Sequence, residues 1–153
     1  MLGVILILLL DQLTKSWALH SLFASSGQIR LLPFFWLTPV WNSGISFGLF
    51  SDQPMLVKGV IPLFAILVVL WLYLQLPVLE SGQRLAASLI AGGALGNVID
   101  RIRFGRVIDF LDFHLFNYHW PAFNIADSAI FIGVVLWLYG IMRTPKQEDD
   151  QND

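Results

Sequence analysis

Met1 to Leu10 carries no polar side chain, and the apolar pattern runs on through Leu13, Trp17, Ala18 and Leu19. About 20 such residues cross a bilayer core of roughly 30 Å. Three more stretches have the same character: residues 57–79, interrupted by Lys58, Pro62, Gln75 and Pro77; residues 85–99; and a stretch that Pro121 introduces and that runs through Met142. In lipid every backbone N–H and C=O must be satisfied within the chain, so these stretches predict an all-α membrane protein of four transmembrane helices. A chain that is 56% hydrophobic and 13% charged, with mean hydropathy +0.69, lies outside the soluble norm. The first stretch lacks a basic lead-in and a small-residue cleavage site, so it is expected to remain in the mature protein. No repeat or linker divides the sequence, which reads as one integral membrane domain over residues 1–153, with 143–153 an acidic, disordered tail.

Residues 28–50 break the pattern. Pro33 and Pro39 punctuate them, Phe34, Phe35, Trp36 and Trp41 crowd them, and Asn42-Ser43-Gly44 is a turn signal. Short strands are predicted here, a small β-rich segment between helices 1 and 2 at the membrane interface, where amphipathic rings sit at headgroup level. Gly105 marks a second break, and residues 107–118 read as an irregular loop. In the third span Gly92, Gly93 and Gly96 offer a small face for close helix packing.

Ionisable groups near membrane depth are expensive and therefore candidates for function. Four antiparallel spans bring the carboxyl ends of spans 1 and 3 and the amino end of span 4 to one side. Asp11 and Lys15, the region from Asn97 to Arg106, and the region from Asn124 to Ser128 should therefore meet there, beside the aromatic segment. The opposite side receives the termini and the turn at Glu80. Asp11 and Lys15, spaced i,i+4, form a neutralising pair. Orientation is less direct, because Lys15, Arg30, Lys58, Arg101, Arg103 and Arg106 outnumber Arg84, Arg143 and Lys146. Positive charge collects on the cytoplasmic side, so this count alone puts the site in the cytoplasm.

The absence of cysteine removes thiolate nucleophiles and thiolate metal sites. A net charge of -2 argues against a nucleic-acid partner. Two neighbouring carboxylates cannot both ionise cheaply, so one keeps a proton while the other serves as a base, an arrangement that activates water against an amide. Asp109 and Asp127 are the preferred pair. Asp100 is the rival, although Arg101 and Arg103 beside it suggest an ion pair at a helix end. Asn124 and Asp127 also fit a plain capping box. A Ser46/Lys15 dyad is weaker, because Asp11 keeps Lys15 charged. Asp112, His114 and His119 match no zinc spacing, so no metal and no cofactor is expected. The competing class is a small transporter or proton-relay protein using the same acids. It would call for a polar path to both faces or a repeated unit.

Four blocks, DQLTK at Asp11–Lys15, NSGISFG at Asn42–Gly48, GNVIDRIRFGRVIDF at Gly96–Phe110 and FNIADSA at Phe123–Ala129, resemble the lipoprotein signal peptidases, the type II signal peptidases of bacteria. The resemblance spans nearly the whole chain. It implies an intramembrane aspartyl endopeptidase with Asp109 and Asp127 as the catalytic dyad, favouring Asp109 over Asp100. By the same likeness Asp11, Lys15, Asn42, Gly44, Asn97, Asp100, Arg101 and Asn124 shape the site or hold the substrate. The implied substrate is a diacylglyceryl-modified prolipoprotein, cut before its lipid-bearing cysteine, with membrane lipids as the other partner. The implied location is the bacterial inner membrane, with the site on the periplasmic or outer face and both termini cytoplasmic, against the Lys/Arg count. The sequence departs from the family in having no basic lead-in at Met1-Leu2-Gly3.

Overall fold

The computed structural model describes residues 2–25, 27–44, 53, 55–116 and 118–143. The expected tail, Ser46 and the end of the NSGISFG block lie outside them. Four helices are long and apolar enough to cross a membrane. Helix α1 (Leu2–Ala18) continues through a π-helical turn, Leu19–Phe23. A second π-helical turn, Leu56–Val60, leads into α2 (Ile61–Gln75), and α3 (Ser81–Phe104) and α4 (Ile125–Arg143) complete the bundle. The third span is longer at both ends than residues 85–99, because Glu80 and Gln83 form a reciprocal capping box at its start and Gly105 closes it in the left-handed conformation, φ 70°.

The bundle is built with oil outside and polar groups inside. On α1, Leu2, Leu6, Leu9 and Leu13 are exposed, whereas Asp11, Lys15 and Ala18 are buried. Apolar side chains gain nothing by leaving lipid, so the helices associate through close packing and polar contacts. Helix α3 is the hub, packed against the other three. Its buried face is almost all small: Ala86, Ala87, Ala91, Gly92, Gly93 and Gly96. A Cβ on Gly93 would collide with the Ala126 carbonyl, and one on Gly96 with the Asp11 carboxylate.

A four-stranded antiparallel sheet, ordered β1-β2-β3-β4, covers the site end of the bundle. Its strands are β1 (Ile29–Leu32), β2 (Phe35–Asn42), β3 (Val107–Leu115) and β4 (Tyr118–His119). The first two fall where the aromatic segment was expected to be extended. The third corrects the expectation of an irregular loop over 107–118. Its segment, VIDFLDFHL, is rich in the β-branched and aromatic residues that favour strands. Both faces are buried over its first half, so no clean alternation marks it. The β2–β3 register slips between Leu37 and Val40, around Pro39, which has no N–H to give to the ladder. Just before α4, Phe123 accepts the Phe110 and Leu111 N–H groups at 3.1 and 2.9 Å and donates to the Leu111 carbonyl at 3.0 Å. That clasp fixes the start of α4 against β3, so Asn124 emerges beside Asp109.

Candidate functional site

The carboxyl ends of α1 and α3, the amino end of α4 and the start of β3 meet, and the polar residues come together as the span topology requires. Their base is an ion cluster in which Lys15 Nζ lies 2.9 Å from Asp11 Oδ2 and 2.9 Å from Asp100 Oδ2, all three essentially inaccessible. The remaining valences are met. Asp11 Oδ1 accepts the Ala126 N–H at 2.9 Å, the Ile108 N–H donates to Asp100 Oδ2 at 3.1 Å, and Gln12 Nε2 reaches both acids at 3.2 Å. The expected Asp11–Lys15 pair is therefore present, but as part of a trio. Asp100 is not paired at its own helix end with Arg101 and Arg103. It turns into the bundle towards Lys15, where a desolvated ammonium needs a second anion. Gln12, inside the DQLTK block, is a further member of the cluster that no charge or spacing pattern marks.

Above the trio stand three asparagines whose side chains have one orientation each. Asn97 Oδ1 accepts from Lys15 Nζ at 3.0 Å, Asn124 Oδ1 from the Asp127 N–H at 2.9 Å, and Asn42 Oδ1 from the Gly44 N–H at 3.0 Å. Ammonium and backbone N–H groups can only donate, so each carboxamide must turn its NH2 the other way. Asn97 Nδ2 then donates to Asp127 Oδ1 at 2.7 Å, while Asp109 receives Asn124 Nδ2 on Oδ1 at 2.7 Å and Asn42 Nδ2 on Oδ2 at 2.9 Å. Three amides, each fixed by a donor behind it, present hydrogens to two carboxylates.

Asp109, on β3, is 1% exposed. Burial pushes its carboxyl up to about 7, the Asp127 charge adds to the rise, and the Asn42 and Asn124 hydrogen bonds oppose it. Asp127, in the first turn of α4, also takes the Asn124 N–H on Oδ2 at 3.3 Å. The capping box read from Asn124 and Asp127 thus exists, and the same two residues belong to the acid cluster. Arg101 donates to the Gly44 carbonyl at 3.2 Å and the Asn97 carbonyl at 3.4 Å, tying the end of β2 to α3. A cavity of about 660 Å³ opens beside these groups, with Asn42, Asn97, Arg101 and Asp127 on its polar side and Phe123, Ile130, Phe131 and Val134 among its apolar residues. All ten site residues named from the sequence lie in this one connected region.

Residues 3–143 match the family profile described as Signal peptidase (SPase) II. A lipoprotein signal peptidase of Thermodesulfovibrio yellowstonii is 45% identical over 140 residues, 90% of each chain. One from Shewanella amazonensis is 43% identical over 150 residues, 95% of this chain and 88% of that one. Among solved structures, a bacterial membrane enzyme determined by the in meso method at 2.3 Å superposes with a TM-score of 0.82 at 28% identity, covering 99% of this chain and 92% of the other. With its four apolar helices and these relatives, the chain is a multi-pass membrane protein and belongs to the signal peptidase II family of proteases.

Proposed function

We propose that this protein is an aspartyl endopeptidase that cleaves diacylglyceryl-modified prolipoproteins just before the lipid-bearing cysteine, with Asp109 and Asp127 as its catalytic pair. The observation that carries the reading is the set of three asparagines aimed at the two acids, because it holds both carboxylates in one hydrogen-bonded cluster, Asp127 on the cavity wall and Asp109 behind it, with no direct cation contact to either among the described residues. The chemistry follows from the asymmetry between them. Asp109, shut away from the cavity at 1% exposure, is assigned the shared proton; Asp127, which lines the cavity where water would enter, is the base.

Asp127 takes a proton from water as the oxygen attacks the scissile carbonyl carbon, and Asp109 gives its proton to the carbonyl oxygen. The gem-diol then collapses: the C–N bond breaks, the nitrogen leaves with the proton held by Asp127, and a diol proton returns to Asp109. No covalent intermediate forms. The apolar lining suits acyl chains and the residues before the cut, and Arg101 and Asn42 lie where a substrate backbone would pass. Asp11, Lys15 and Asp100 act behind the site by holding Asn97. The site is read as facing the periplasm or outer surface of the bacterial inner membrane, as the likeness to lipoprotein signal peptidases implies.

The test is cleavage of a diacylated prolipoprotein by purified wild-type, Asp109→Asn and Asp127→Asn protein. Each variant should lose activity by about 10²- to 10⁴-fold, the usual worth of a general acid or base. The capping-box part of Asp127 is to accept the Asn124 N–H, which an asparagine carbonyl also does, so an Asp127 confined to that part would leave an active Asp127→Asn enzyme. Near-normal cleavage by either variant removes the dyad.

A further inference from the structure

A second cluster of ligand-type side chains lies on the sheet, apart from the cavity. Side chains alternate along a strand, so Asp112 and His114 share one face of β3. The antiparallel register places His119 of β4 directly opposite His114. The two imidazoles stack with centroids 4.8 Å apart and planes 18° from parallel, held from the side by the Trp36 ring, 4.3 Å from His114. Their five-residue separation matched no zinc pattern because the proximity is made across a hairpin and not along a helix. His119 Nδ1 lies 2.9 Å from Asp112 Oδ1, and Thr38 Oγ1 donates to Asp112 Oδ2 at 3.0 Å, fixing the carboxylate from behind.

One donor atom from each of the three residues lies within 4.8 Å of the others. His114 supplies an independent sign of a missing ligand. It is 9% exposed, and its Nδ1 is buried without a hydrogen-bond partner among the described residues. A buried ring nitrogen left unpaired loses its hydration with nothing in return. An imidazole nitrogen binds a metal in the plane of its ring, and an ion held there would satisfy it.

We propose that Asp112, His114 and His119 bind one divalent transition-metal ion of the zinc type, which clips β4 to β3 on the face opposite the cavity chemistry. Two imidazoles and a carboxylate are donors that zinc and its neighbours accept, with water completing the shell. His119 Nδ1 donates to Asp112 Oδ1 at 2.9 Å, and zinc–nitrogen bonds of roughly 2.0–2.1 Å need donors a little over 3 Å apart, so a zinc ion would replace that proton with a small outward move of the ring. His119 is the residue free to close the remainder, since its side chain is 46% exposed. Thr38 behind Asp112 plays the orienting part that outer hydrogen bonds play at metal centres.

Untagged full-length protein in detergent, stripped with a chelator, is titrated with ZnCl2 by calorimetry and with CoCl2 by visible absorption. One equivalent per chain is expected, with d–d bands from bound Co2+. Binding should weaken at least about tenfold in His119→Gln and Asp112→Asn and stay unchanged in His20→Ala, which removes the chain's third histidine. His119→Gln decides the matter if Asp112→Asn fails to fold, because His119 is partly exposed. The proposal is overturned if the wild type shows no saturable uptake of either ion, or if His119→Gln binds as tightly as the wild type.

Discussion

Lys15 shows how much one side chain decides here. Its ammonium pairs with both Asp11 and Asp100, leaving the trio a single negative charge, and its third contact fixes which way Asn97 points and so what Asp127 meets. Lys15→Met should therefore destabilise the fold by roughly 3–5 kcal/mol, the cost of stranding buried charge. Adding Asp11→Asn to that variant restores the net charge of the cluster but leaves Asn97 without its donor. Thermal unfolding should recover in part, while prolipoprotein cleavage stays low; joint recovery of both would make Lys15 structural only. Asp109 carries a pH signature of its own. Its carboxyl is raised from 3.8 to about 7, so between those values the folded protein holds a proton that the unfolded chain has released. Stability from this group is therefore full below the unfolded value and falls as pH rises towards 7. Melting temperatures followed from pH 4 to 8 should decline in the wild type, with a clearly shallower slope in Asp109→Asn; equal slopes would contradict the raised value.

Among the elements, α3 sets the spacing of the site because its small face lets α1 and α4 come close. Gly96→Ala puts a methyl where the Asp11 carboxylate sits, so α1 must shift and the Lys15 trio must open. A loss of about 1–3 kcal/mol is expected from such overpacking, with activity falling further than stability, measured by thermal unfolding and cleavage on one preparation. This scale also shows what the sequence carries legibly. The four spans and the glycine face follow from composition and spacing, and the two β1–β2 strands follow from aromatic extended sequence between prolines. Strand β3 does not, because its first half is buried on both sides and two acids interrupt its apolar run. The inward turn of Asp100 was equally hidden. Its partner lies in a different span, and neighbouring arginines offered a nearer explanation.

Taken whole, the molecule places its polar machinery and its sheet at one end, and the turn at Glu80 at the other. The chain contains no cysteine, so a single introduced thiol is unambiguous. Ser25 and Phe116, both exposed at the sheet end, and Ser81, exposed at the opposite end, are suitable positions. If the site faces outward, Ser25→Cys and Phe116→Cys should react with an impermeant maleimide in cells with a permeabilised outer membrane, and Ser81→Cys only after lysis. The reverse pattern would place the acids on the cytoplasmic side, as the lysine and arginine count suggests. The four spans and the gathering of acids at one end were readable from the order of apolar and polar stretches. The clasp between Phe123 and β3 was not, since backbone hydrogen bonds between an irregular turn and a strand leave no pattern in side chains.

The i,i+4 spacing of Asp11 and Lys15 also bears on how the protein is made. During synthesis the first span reaches the membrane well before Asp100 and the rest of α3 exist, so it must enter lipid without its eventual partner. With its own counter-ion one turn away, α1 arrives electrically neutral and can wait. Lys15 then extends the contact to Asp100 once the third span is in place. The same pairing that closes the folded cluster would thus also lower the cost of placing the first span in lipid.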